Sequence, residues 1–140
     1  MFPKEIVYEI FSYTIEAFEY FISRININMD DITEENGEYK FFYDTGKFYE
    51  REIVSLSLKE YDDKIEFCAR IVSELHEDGG ILYYERYDEG GDFNLEIWSQ
   101  PIIYISFCLY EDSIETIKEK IQKIAKIAEI KRDNIYEYEF

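Results

Sequence analysis

The chain is poor in cysteine, proline, glycine, histidine and basic charge, and each shortage excludes something. Its two cysteines, Cys68 and Cys108, are too few for a disulfide scaffold and fit no zinc-ligand spacing. Two prolines and six glycines leave no linker or low-complexity segment. The lone histidine, His76, sits in a Glu-Asp-Gly-Gly turn, and nothing marks a serine or cysteine as its nucleophile. It is expected to be a solvated turn residue, and no catalytic residue is assigned. The pairs Gly79-Gly80 and Gly90-Gly91 lie between strand-like runs among acidic neighbours, which makes them poor phosphate cradles. No motif calls for a cofactor or a metal.

Basic residues are scarce: 15 Lys+Arg face 32 Asp+Glu, a net charge of −17. Direct nucleic-acid binding is disfavoured, because phosphate contact needs a basic surface. Long apolar runs are missing too. The opening stretch carries Glu5, Glu9, Glu16 and Glu19, which a membrane span or signal peptide would not tolerate. No membrane partner is expected, and the expected compartment is the cytoplasm.

What is present is apolar and aromatic. The chain is 46% hydrophobic, with 14 Tyr and 11 Phe, so it is not an acidic disordered tail. Halophilic adaptation fits badly, since Lys outnumbers Arg and Ile is abundant. The length suits one domain over 1–140. Cys68 and Cys108 fall in apolar strand-like runs and are expected to be small reduced core residues, with a disulfide as the alternative.

Residues 3–25 predict a helix: Ile6, Ile10, Phe11, Thr14, Phe18, Phe21, Ile22 and Ile25 recur at helical spacing after Pro3. The polar run 26–38 predicts a loop. Six strand-like runs follow from Tyr39, with Asp44-Thr45-Gly46-Lys47 as a tight hairpin turn. The continuously apolar run 102–110 predicts a central strand. Ile114, Ile117, Ile121, Ile124 and Ala128 predict a last helix, capped by Asp112 with Glu115 and ending near Ile130. The alternating tail 134–140 is left as an edge strand or a loose end. The fold expected is α+β: an antiparallel sheet of about six strands, arranged as a meander, with both helices packed on one face.

A meander puts alternate turns at one end of the sheet. Asp30, Asp31, Glu34, Glu35, Glu38, Asp62, Asp63, Asp88, Glu89, Asp92, Glu111 and Asp112 would then share an end. The opposite end would hold Asp44, Lys47, His76, Glu77 and Asp78. Three readings of the acidic end stand open. Acidic residues suit solvated turns in any case. They could hold a divalent cation, although no segment follows the calcium-loop pattern. Or they form a docking surface for a strongly basic partner. Aromatic residues on the sheet face away from the helices, Trp98, Tyr104 and Tyr110, favour docking, because Tyr and Trp beside carboxylates suit Arg and Lys side chains.

No motif assigns a family. In charge, size and aromatic content the chain is similar to small acidic single-domain inhibitors of bacteria and their phages. These include immunity proteins that cap nuclease toxins, and anti-CRISPR-type phage proteins that block nucleic-acid-guided defence enzymes, some by nucleic-acid mimicry. The resemblance implies a non-enzymatic inhibitor of a basic nuclease or other nucleic-acid-handling protein. The alternative is a structural or adaptor subunit that self-associates or docks through its aromatic sheet face.

Overall fold

The apolar–polar alternation builds a seven-stranded antiparallel sheet, described in a computed structural model for residues 2–23, 25–46, 51–73, 81–87, 92–98 and 103–139. The strands are β1 (Thr33–Glu35), β2 (Glu38–Asp44), β3 (Glu52–Glu60), β4 (Ile65–Ser73), β5 (Ile81–Tyr87), β6 (Asp92–Trp98) and β7 (Ile103–Glu111). Helix α1 (Lys4–Ala17) precedes them and α2 (Ile114–Glu139) follows. The α+β class is as expected, with six longer strands and the three-residue β1. Among the described residues no helix is long and apolar enough to cross a membrane.

One sheet face is covered. Ile65, Phe67, Ala69 and Ile71 of β4 are buried with Ile103, Ile105, Phe107 and Leu109 of β7. They meet Val7, Ile10, Phe11 and Phe18 from the N-terminal segment and Ile117, Ile121, Ile124 and Ala128 from α2. Phe67 sits 6.2 Å from Phe11 and 6.1 Å from Phe107, ring centre to ring centre. Lys118 ties α2 to α1 through Glu9 at 2.8 Å.

The order is β1-β2-β3-β4-β7-β6-β5, which is not a plain meander. Strand β4 pairs with β7, and β5 lies at the far edge. The chain therefore steps across three strand positions between β4 and β5. Three is odd, so directions still alternate and the turns expected at one end remain there.

Four local expectations are corrected. Helix α1 stops at Ala17 rather than running to 25: the backbone tightens, with Glu19 donating to Glu16 and Phe21 to Phe18. Phe18, Phe21 and Ile22 stay buried beyond it. The β2–β3 connection is wider than a tight turn, closing where the Thr45 N–H donates to the Glu52 carbonyl at 3.1 Å. The cap of α2 is Ser113, not Asp112: the Thr116 N–H donates to Ser113 Oγ at 3.2 Å. That helix runs to Glu139, because residues 131–139 contain no glycine or proline to stop it.

Candidate functional site

The register brings the acidic turns together. Glu60 pairs with Ile65, closing the β3–β4 turn, where Tyr61 N–H donates to the Lys64 carbonyl at 2.8 Å. Ile65 in turn pairs with Glu111, so Asp62 and Asp63 leave the sheet beside Asp112. Asp62, Asp63 and Asp112 are all exposed and make no side-chain hydrogen bond or ion pair among the described residues. The β1–β2 turn lies at the same end. Asn36 and Gly37 adopt φ of 53° and 77°, the left-handed pair a two-residue hairpin needs, and set Glu35 opposite Glu38. The sequence signal was the Asn-Gly pair, which the polar run 26–38 obscured.

Asp92 begins β6 opposite Cys108, three residues in from Glu111, so the start of β6 lies at this end as well. Asp88 and Glu89 lie outside the described residues, as do Lys47, His76, Glu77 and Asp78 of the opposite end. From β1 to β6 the acidic end crosses five strand spacings, about 24 Å. Glu34, Glu5 and Glu60 also gather around Tyr39, whose hydroxyl burial and then these three carboxylates push above its ordinary value. Glu5 and Glu60 were not among the expected site residues.

Two expected carboxylates are elsewhere. Asp31 shares a shallow pocket with Phe41, Phe42 and Tyr43, towards the other end of β2. It accepts from the Asn28 N–H at 2.9 Å and closes the short helical turn Met29–Asp31, which also carries Asp30. Glu111 is at the acidic end but is engaged by Lys120.

The aromatic residues also separate. Tyr110 stands opposite Glu66 at the acidic end and is 52% exposed. Tyr61, which sequence reasoning passed over, is 39% exposed in the Asp62-Asp63 turn itself. Lys64 lies between them, its Nζ 5.4 Å from the Tyr61 ring centre and 5.6 Å from that of Tyr110. Lys59 adds a second cation 5.1 Å from Tyr61. Tyr104 lies six residues back along β7, half-buried with the Arg70 guanidinium 5.2 Å from its ring centre. Trp98 ends β6 opposite Ile81, at the other end of the sheet from the acidic turns. The site thus narrows to Tyr61, Asp62, Asp63, Tyr110 and Asp112, with Glu35 and Glu38 at its side.

At the opposite end Asp44 is neutralised. Arg51 donates to its two oxygens at 2.9 and 2.6 Å, and the Gly46 N–H adds a bond at 2.8 Å. These bonds, Arg51 first, hold its carboxyl at about 2 against an ordinary 3.8. The contrast with Asp62 and Asp63 is one of pairing: one end spends its carboxylate on an internal arginine, the other leaves two facing water.

The cysteines are a correction. Cys68 and Cys108 are half-buried on the face away from the helices, directly opposite one another, and are joined as a disulfide. They are not reduced core residues, because the pleat turns their parity away from Phe67, Ala69, Phe107 and Leu109. Among the described residues no three His, Cys, Asp or Glu side chains gather in a way that could hold a metal ion. No protein-family model, no curated protein and no solved structure matches the chain.

Proposed function

We propose that this protein is a non-enzymatic inhibitor acting in the cytoplasm, and that it docks its acidic end on a basic, nucleic-acid-handling protein. The observation that supports this is the Tyr61-Asp62-Asp63 turn beside Tyr110. One exposed ring and two exposed carboxylates lie on the β3–β4 turn, and a second exposed ring, Tyr110, stands beside it on β7, with Asp112 alongside. Exposed carboxylates speed encounter with a basic surface and select for it, while the rings supply area that loses water on contact. An immunity protein of a nuclease toxin and an anti-CRISPR-type nucleic-acid mimic both fit this chemistry.

The test is affinity capture with the full chain in rising salt, followed by an activity assay of what is captured. The reading expects a basic nuclease or nucleic-acid-binding effector that is inhibited when bound and is released as salt rises. Surface charge pairs are screened within about 8–10 Å at physiological salt. A captured partner held equally at low and high salt would count against it.

A structural or adaptor subunit is the second reading, favoured by Phe42. This residue is 66% exposed on β2, on the face the helices leave open. It expects a homo-oligomer in light scattering that Phe42→Ser dissociates.

A further inference from the structure

The sheet consists of two antiparallel units, β1–β4 and β5–β7, and one ladder joins them. That ladder pairs β4 with β7, and Cys68 and Cys108 face each other near its middle, with Cα atoms 4.1 Å apart. The bond crosses the seam between the two units and joins cysteines 40 residues apart in sequence. It also lies where a reagent can reach it. Among the described residues no helix covers this face, and both cysteines line an open hollow of about 360 Å³ with Ser55, Ser57, Arg70 and Ser106.

Thiol–disulfide exchange needs an attacking thiolate to approach a sulfur from outside. The hollow provides that approach, whereas a sulfur under α1 or α2 would be closed to it. A bond on a seam has a second property. Closing it restricts the unfolded chain over a long loop, so the folded sheet gains relative stability.

We propose that the Cys68–Cys108 bond is a reversible clasp across the β4–β7 seam, opened by a dithiol reductant and closed by a disulfide oxidant. In the opening step one reductant thiolate attacks a cysteine sulfur, breaking the S–S bond and forming a mixed disulfide. The second reductant thiol then expels that cysteine. Two protons and two electrons pass to the protein, and the reductant leaves as a cyclic disulfide. In a reducing cytoplasm the clasp stands open and the sheet is held by its ladder and core alone. In an oxidising compartment it locks the two units together.

The test uses the full chain after treatment with oxidised glutathione. Iodoacetamide is added to the folded protein, before and after dithiothreitol, and intact mass counts the adducts. Thermal melts are recorded in both states. The clasp predicts no adduct before reduction, two after reduction without denaturant, and a melting temperature lower by on the order of 10 °C in the reduced protein. The Cys68→Ala/Cys108→Ala variant should melt at one temperature with or without dithiothreitol. Should that variant fail to fold, the two states of the unmodified chain still decide. Thiols that react before reduction, a bond that dithiothreitol opens only in denaturant, or equal melting temperatures would each overturn the proposal.

Discussion

Ile65 pairs with Glu111 across β4 and β7, and through that one register the Asp62-Asp63 turn and the start of α2 emerge side by side. The two segments are far apart in the chain. They meet only because β7, not β5, is the neighbour of β4. The acidic end is therefore a product of tertiary pairing, and its strength rests on which carboxylates the fold leaves facing water.

The rings at that end should matter more to binding than to folding. Tyr61→Ala and Tyr110→Ala remove exposed side chains, so each should cost stability within about 0.5 kcal/mol. Each should weaken partner binding by more than 1 kcal/mol, roughly tenfold, if the rings are interface anchors. Lys64→Ala removes the chain's own cation from between the rings and should strengthen binding to a basic partner. Calorimetric titration of the three variants, with urea denaturation of each, checks these outcomes.

Asp44→Asn should destabilise the fold in a pH-dependent way. The folded carboxyl is held at about 2, below its ordinary 3.8. A depressed value means the contribution is present above the unfolded pKa and is lost as pH falls through the folded one. The gap between parent and variant should be full at neutral pH and should close between about pH 4 and pH 2. Thermal melts across that range read it directly.

Phe67→Ala should be the severe substitution. Phe67 is fully buried between Phe11 and Phe107, where α1 meets the centre of the sheet. The loss should be about 3–5 kcal/mol in urea denaturation, a large part of the about 5–15 kcal/mol typical of a domain.

Local pattern was legible where one period persisted. Val54, Leu56 and Leu58 marked the covered face of β3, and Ile117, Ile121 and Ala128 marked that of α2. Strand order was not legible. Nothing in the sequence around 74–80 states that two strand positions, those of β7 and β6, separate β4 from β5, because that choice belongs to the assembled sheet. The Cys68–Cys108 bond was hidden for the same reason, since it depends on the register of two strands that are not adjacent in sequence. The acidic end was half legible. Its turns were found from Asp and Glu runs, but Asp30 and Asp31 were misplaced because a short helical turn precedes β1. Tyr61 was missed because exposure cannot be read from a single ring at a strand's end.

The most direct test of the docking account is charge reversal with a control elsewhere on the surface. Asp62→Lys/Asp63→Lys is compared with Glu16→Lys, an exposed position at the end of α1 far from Glu5 and the acidic turns. Binding to the captured partner is measured by calorimetric titration at two salt concentrations, and folding by thermal melts. The account predicts that the double reversal abolishes binding at low salt with stability changed within about 0.5 kcal/mol per site, and that Glu16→Lys binds like the parent. Equal binding by both variants, or equal loss in both, would contradict a dedicated acidic docking end.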